Sequence, residues 1–318
     1  MRCCISNPEL LASELNRTTI RNIGSRTLPQ LAEELNREEQ VVCIVNTRQR
    51  CKELFDLLAT DRQKYHLSAA MCPAHRRRIL TAIRDDLKNG RRLTVIATSL
   101  VEAGVDLDFR CVYREIAGLD SIAQAAGRCN REGLHETGNV FVFEVPETRL
   151  FGTMECAVNA VRDGLTRERE FQPFTPQAYL DYFKRFYAKC SAILDKDDYA
   201  SLIYNAPDLK YAFRSFGERF QMIDDQGHVP LVVLYHGSGQ DDGPEKLIAE
   251  LRERGPSRSL FRKLQAYTVN ILTKDMDNLL SAGYVEELHG VFFQVKDGIY
   301  DNEHDTGFQP GNRDDKQF

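Results

Sequence analysis

Val41-Val-Cys-Ile-Val-Asn-Thr47 runs five apolar residues into two polar ones. A strand that is apolar without alternation is covered on both faces, the pattern of a parallel sheet packed between helices. Asn46 and Thr47 are both good helix N-caps. Behind them Cys51, Leu54, Phe55 and Leu58 fall on one helical stripe. Strand, polar cap and helix make half of a crossover unit.

The same order repeats outward. His66 to Pro73 reads as a second short strand and its loop. A helix is expected from Ala74 to about Asn89, with Ile79, Leu80, Ile83 and Leu87 inward and Gly90 as its stop. Leu93-Thr-Val-Ile-Ala97 is another buried strand, Cys111-Val-Tyr-Arg-Glu-Ile116 a shorter and half-polar one, and Asn139-Val-Phe-Val-Phe-Glu144 closes the set. Upstream, Pro8 to Leu15 reads as a short amphipathic helix, Thr18 to Ile23 as a strand, and Leu28 to Glu39 as a helix carrying Leu28, Leu31, Ala32 and Leu35. Strands alternating with helices imply an α/β fold, an open, doubly wound parallel sheet with helices on both faces.

The second half changes character. Helices are expected at 154–165 and 175–190, the latter with an aromatic stripe of Tyr179, Tyr182, Phe183, Phe186 and Tyr187. Helical spacing of aromatics points to core before it points to a stacking platform for bases. Phe220 to Tyr235 reads as a hairpin turning at Asp224–Gly227. Helices at 244–254 and 257–281, short strands at Gly290–Val295 and Gly298–Tyr300, and a frayed polar end from Asp301 to Phe318 complete the expectation. The division expected is a sheet domain at 1–148, a helical linker at 149–195, and a smaller mixed α+β accessory domain at 196–318.

A chain of 318 residues has two domains as its natural prior, and its net charge of −5 excludes a surface uniformly basic without excluding a basic groove. One such excess lies between Ala74 and Arg92: Arg76, Arg77, Arg78, Arg84, Lys88, Arg91 and Arg92 against Asp85 and Asp86. The nine cysteines show no Cys-x-x-Cys, which fits reduced thiols rather than a disulfide framework or a zinc site. No apolar run approaches the ~20 residues needed to span a bilayer, and no signal-peptide core is present. The expected location is cytoplasmic, with no membrane partner.

Chemistry concentrates in two stretches. Gln124-Ala-Ala-Gly127-Arg128-Cys-Asn-Arg131 sets two guanidiniums three residues apart, on one face if helical. Each is a planar fork of donors matched to phosphate oxygens. The plain alternative is a solvated basic helix end. Earlier, Ala97-Thr-Ser-Leu-Val-Glu-Ala-Gly-Val-Asp106 leaves a buried strand. Gly104 permits a backbone shape other residues resist, and Asp106 can accept from a ribose hydroxyl. Ligands of open parallel sheets sit beyond the carboxyl ends of the strands, where Asn46, Thr47, Thr98, Ser99 and Arg76 are expected. Hydroxyls, amides and cations there can hold phosphates without reading bases. Taken singly, helix capping or a solvated face explains each of them.

Together, in this order and spacing, the two stretches resemble the last two motifs of superfamily 2 nucleic-acid helicases. Ile44-Val-Asn-Thr47, Met71-Cys-Pro-Ala-His-Arg76, Ala97 to Asp108 and Ala117 to Arg131 are similar to one branch, the CRISPR-associated helicase-nucleases of type I systems. The ending Asp297-Gly-Ile-Tyr-Asp-Asn-Glu-His304 resembles tails of that branch. The resemblance implies a second RecA-like domain followed by an accessory domain. It implies Arg131 as the arginine finger on the γ-phosphate of ATP, Arg128 as a second phosphate contact or as a support for the finger, and Gln124 and Gly127 at the nucleotide. Gly104 and Asp106 would link ATP to the DNA side, and Asn46, Thr47, Arg76, Thr98 and Ser99 would grip a single-stranded DNA backbone. Implied partners are an RNA-guided CRISPR effector complex and the first RecA-like and nuclease domains of the same enzyme, with Mg2+ held by that first domain. Within these residues there is no Gly-x-x-x-x-Gly-Lys-Ser/Thr loop and no Asp-Glu-x-His or Asp-Glu-Ala-Asp box. His304-Asp305 is the one His-Asp pair, read as chance rather than as a metal site. The expectation is the C-terminal part of a larger enzyme, inactive alone. A housekeeping helicase fragment of the same superfamily and a non-catalytic DNA- or partner-binding module are the alternatives. Arg131 is expected to stand open on the rim of the sheet rather than buried on an internal carboxylate.

Overall fold

A computed structural model describes residues 7–102, 104–146, 150–165, 174–191, 193–195, 198–205, 210–220, 227–237, 243–302 and 304–309. The first half is β1 (Thr18–Ser25), α2 (Leu28–Leu35), β2 (Gln40–Ile44), α3 (Arg48–Leu57), β3 (Gln63–Leu67), α4 (Pro73–Lys88), β4 (Leu93–Ala97), β5 (Cys111–Glu115), α5 (Leu119–Ala126) and β6 (Gly138–Glu144), preceded by α1 (Pro8–Glu14). Every pairing in the sheet is parallel, in the order β1-β6-β5-β2-β4-β3.

Both faces are covered, for the reason the unalternating strands imply. Val42, Ile44, Val95, Val112 and Val140 point to one side, against Ile79 and Ile83 of α4 and Ile122 of α5. Val41, Cys43, Ile96 and Tyr113 point to the other, against Leu31 and Leu35 of α2 and Leu54 and Phe55 of α3. Strand β5, read from sequence as half-polar, is buried along its whole length, Arg114 and Glu115 included. It lies in the middle of the sheet, so its polar residues must find partners inside.

The helices α6 (Gly152–Leu165) and α7 (Pro176–Cys190) add to the first core through Val158, Ala160, Val161 and Tyr182. Of the aromatic stripe, Tyr182 is buried and Tyr179, Phe183 and Phe186 pack against it, while Tyr187 stays exposed. Core is therefore the reading for four of the five. By contrast, α1 buries nothing and leaves Leu10, Leu11 and Leu15 exposed.

Two short helices, α8 (Tyr199–Tyr204) and α9 (Phe213–Arg219), precede a second core. There β7 (His228–Val232), α10 (Pro244–Arg254), α11 (Arg258–Leu264), β8 (Thr268–Leu272), α12 (Thr273–Ser281), β9 (Val285–Leu288) and β10 (Val291–Gln294) form a four-stranded mixed sheet in the order β8-β7-β10-β9. Two sequence expectations fail here. The helix at 257–281 is broken by β8, whose alternate residues Val269 and Ile271 are buried. Of the hairpin expected at 220–235, β7 lies in the second arm, between β8 and β10; residues 221–226, with most of the first arm and of the turn, lie outside the described residues. Part of the end expected to fray is instead paired, β11 (Tyr300–Asp301) with β12 (Gly307–Phe308).

That last segment crosses back to the first domain. Tyr300 Oη accepts from the Cys72 amide at 3.0 Å and sits 2.9 Å from His75 Nδ1; Asp305 Oδ1 is 3.0 Å from His75 Nε2 and pairs with Arg78. Tyr235 stacks on the His75 ring at 4.5 Å. The Phe308 amide donates to Ala70 O at 2.8 Å. Gly307 allows this approach: at φ +78° a Cβ would stand 2.6 Å from Ala70 O. His304-Asp305 thus uses its aspartate as a strut under α4.

Candidate functional site

The parallel sheet sets its candidate residues at two places. The first is the carboxyl edge. Thr47, leaving β2, caps α3, its Oγ1 accepting from the Arg50 amide at 3.2 Å. Asn46 beside it is committed inward: Oδ1 accepts from Arg114 at 2.7 Å, Nδ2 donates to Ile116 O at 2.9 Å, and its amide donates to Glu115 at 2.8 Å. After β4, the Thr98 amide donates to Leu67 O at 3.1 Å while Ser99 opens a 3-10 turn and faces solvent. Arg76 lies in the first turn of α4, half-buried, and burial lowers its guanidinium's pKa. No ion pair is made by Arg76 among the described residues. Thr47, Ser99 and Arg76 therefore present polar groups along one edge, Thr98 is buried beside them, and Asn46 shapes the loop.

The second place is at the far end of α5, which runs back across the sheet. Gln124 and Gly127 are exposed there. Gly127 has an ordinary helical φ of −64°, so the fold itself does not demand glycine at this point. Beyond it the chain meets the amino side of the sheet. The Phe109 amide donates to Arg128 O at 2.9 Å, and the Asn130 amide returns to Phe109 O at 2.9 Å, both just ahead of β5. Asn130, almost wholly buried and left-handed at φ 49°, closes the following turn by accepting from His135 N at 3.0 Å and donating to His135 O at 2.8 Å.

The two arginines part ways at this corner. Arg128 turns in: Nη2 donates to Glu102 O at 2.7 Å and Nη1 to Val105 O. Burial, then the Arg131 cation, lowers its pKa, against the opposing pull of Asp106. Arg131 turns out, its side chain 41% exposed, and pairs with Asp106, 73% exposed. Its backbone is fixed on both sides, its amide on Asp108 Oδ1 at 2.8 Å and its carbonyl on Arg17 Nη1 at 3.0 Å. Gly104 holds φ +71° with open space around it, so its requirement is conformational. Arg131 is thus open and paired to a surface carboxylate, but at the amino corner rather than on the carboxyl rim. An eight-residue α5 separates the two places by about 12 Å at 1.5 Å per residue.

Sequence reasoning named Arg128 and Arg131 but missed four residues that hold them. Asp108 and Asn130 fix the turn, Arg17 braces it, and Glu102 offers Arg128 a carbonyl. An aspartate and an asparagine flanking a turn are the available signal, through their affinity for backbone amides. Nothing local points to Arg17, which reaches Arg131 across 114 positions of sequence. Among the described residues, no three or more His, Cys, Asp and Glu side chains are grouped to hold a metal ion. No described helix is long and apolar enough to cross a membrane.

Comparison with known proteins bears on this geometry. The sequence model of a family described as CRISPR-associated nuclease/helicase Cas3, C-terminal, matches residues 37–134, which contain both candidate places. A CRISPR-associated nuclease/helicase Cas3 of Haloferax volcanii is 54% identical over 56 residues, 17% of this chain and 6% of that protein. One of Methanothermobacter thermautotrophicus is 30% identical over 118 residues, 36% of this chain and 14% of that protein. Among solved structures, T. fusca Cas3-ATP aligns over 87% of this chain and 39% of its own, with a TM-score of 0.54 at 16% identity. T. fusca Cas3-ADP aligns over 92% and 40%, with a TM-score of 0.52 at 16% identity. The chain spans about two fifths of the length of those solved chains. It is similar to a C-terminal portion of a Cas3 helicase-nuclease, and its fold is a RecA-like parallel sheet followed by a smaller accessory domain.

Proposed function

We propose that this chain is the C-terminal helicase portion of an ATP-dependent single-stranded-DNA translocase in CRISPR antiviral defence, with Arg131 as its arginine finger. The observation that carries the reading is the division of the two arginines. Arg128 spends its guanidinium on the carbonyls of Glu102 and Val105, and Arg131 faces out on a backbone pinned by Asp108. A finger must reach a phosphate held by another domain, so it has to be exposed on a fixed base. Arg131 meets both conditions, and Asp106 parks it until a phosphate competes. On this reading Arg128 supports the finger by holding the carbonyls of Glu102 and Val105.

The substrate is ATP, bound between this corner and a RecA-like domain that carries a phosphate loop and holds Mg2+. Arg131 supplies positive charge where it grows on the γ-phosphoryl oxygens, and Asp106, once released, is available to a ribose hydroxyl. Gln124, Gly104 and Gly127 leave open backbone and an amide beside it. At the carboxyl edge, Thr47, Thr98, Ser99 and Arg76 meet the phosphates of a single strand, on a loop set by Asn46, without reading bases. The partners follow from the same reading: the first RecA-like and nuclease domains of the same enzyme, and an RNA-guided effector complex that opens the DNA.

The test is turnover after the chain is combined with a phosphate-loop-bearing RecA-like domain of a Cas3 relative. Arg131→Ala is expected to lower DNA-stimulated ATP hydrolysis by about a thousandfold or more, with single-strand affinity little changed. Turnover that survives the substitution ends the finger assignment. Retained DNA binding with no turnover in any combination favours a non-catalytic binding module instead.

A further inference from the structure

The two candidate places are joined through the interior by charged residues. Arg114, at the carboxyl end of β5, is 1% exposed, and Glu102, in the segment after β4, is 5% exposed. Arg114 Nε stands 2.8 Å from Glu102 Oε1, an ion pair off the hydrogen-bond line. The same guanidinium donates through Nη1 to Asn46 Oδ1 at 2.7 Å and to Glu115 O at 2.8 Å. Glu115 in turn accepts the Asn46 amide and pairs with Arg50 in the first turn of α3. On the other side, Glu102 takes Arg128 on its carbonyl. Four residues in contact thus run from the edge loop to the arginine corner: Asn46, Arg114, Glu102, Arg128.

We propose that Arg114 and Glu102 are a positioning pair that couples the carboxyl edge of the sheet to the arginine corner, so that a strand bound at one orders the other. It rests on the assignment of the 46–47 and 98–99 loops to the DNA backbone, made above. The physical ground is burial. A charge taken out of water has no solvent to fall back on, so it follows its partner or strands it. Displacement of Asn46 moves the Arg114 fork, and the fork moves the carboxylate that shares a residue with the carbonyl held by Arg128. Neither Arg114 nor Glu102 faces solvent, and neither is placed to touch substrate. Their role is in register, not in chemistry.

Contact alone does not establish coupling, which must be measured as one site's effect on the other. The experiment is hydrogen–deuterium exchange on this chain with and without a short oligo-dT strand, in the wild type and in Glu102→Gln. The substitution keeps shape and removes the charge. In the wild type the oligonucleotide is expected to slow exchange at 98–100 and also, by about fivefold or more, at the amides of 129–131. In Glu102→Gln the strand binds with unchanged affinity and still slows 98–100, but 129–131 no longer responds. A purely structural role gives a different picture, faster exchange across the sheet whether or not the strand is present. The proposal falls if 129–131 still responds in the variant, or if the wild type protects 98–100 alone. An oligonucleotide that slows exchange nowhere removes the backbone assignment as well, a distinguishable result. Should Glu102→Gln lose its cooperative melt, Arg114→Lys reads the same contrast with the buried charge kept and the planar fork removed, and a full wild-type response there sinks the pair.

Discussion

His66 offers the sharpest quantitative test of the structure. It is 1% exposed in β3, edge-on to Phe55 at 5.7 Å, and neither ring nitrogen has a hydrogen-bond partner among the described residues. Burial first, and then the His75 ring and the Lys52 ammonium, push its pKa from 6.5 down to about 4, against the pull of Asp56 and Asp301. The folded state therefore binds fewer protons than the unfolded state between those values. Stability from this group is complete above pH 6.5 and is lost as pH falls toward 4. At about 1.4 kcal/mol per pKa unit the full loss is about 3 kcal/mol, with about 2 kcal/mol already gone at pH 5. Against a typical total of about 5–15 kcal/mol that is a large share. His66→Leu removes both the titration and two unpartnered nitrogens. It should match or exceed the wild type at pH 7.5, by up to about 1–3 kcal/mol, and the gap should widen by the amounts above on acidification. Urea melts followed by circular dichroism at pH 7.5, 6, 5 and 4.5 measure this, because every other titrating group is shared and cancels in the difference. A gap that stays constant across the series refutes the buried, neutral assignment of His66.

Arg128→Ala should lower stability by about 2 kcal/mol, since it forfeits two charge-assisted bonds to carbonyls, whereas Arg131→Ala should cost less than about 0.5 kcal/mol. Equal losses in a thermal melt would contradict the inward and outward assignments. Tyr300→Phe leaves the Cys72 amide and His75 Nδ1 without their shared oxygen and should cost about 1–3 kcal/mol; a neutral melt speaks against the contact. Gly307→Ala combines a left-handed φ of +78° with a Cβ 2.6 Å from Ala70 O. Its expected loss is about 1–2 kcal/mol from the backbone alone, and limited proteolysis within 298–309 should quicken. Unchanged cleavage there would mean the segment is not seated on α4.

What sequence reading could reach follows from what kind of signal each element leaves. β2 and β4 announce themselves because a strand covered twice is apolar twice, and their helices carry clean stripes. β5 leaves a mixed signal, since Arg114 and Glu115 look like surface residues and only the network that absorbs them accounts for their burial. β8 hides because five residues with only Val269 and Ile271 inward lie directly between two helices, so that one helical period seems to continue through them. Residues 301–309 look frayed because they are polar, yet their polar groups serve one another and α4: Asp301 accepts from Thr306 and the His304 amide, and Asp305 braces His75. At the candidate site the identities of Arg128 and Arg131 are legible in spacing. Their opposite directions are not, because direction is decided by the carbonyls of Glu102 and Val105 and by Asp108, on a segment some twenty positions away.

The return of residues 300–308 to α4 has a bearing on how the chain is made. His75 and Asp305 are 230 positions apart, and the amide of Cys72 waits for Tyr300. A ribosome delivers the first sheet long before it delivers those partners, at roughly 5–20 residues per second. In the interval the amino end of α4 carries an unmet amide and an imidazole without its aspartate. The sheet is thus closed by residues made 230 positions later, and a stop that falls between the two leaves its mark on α4.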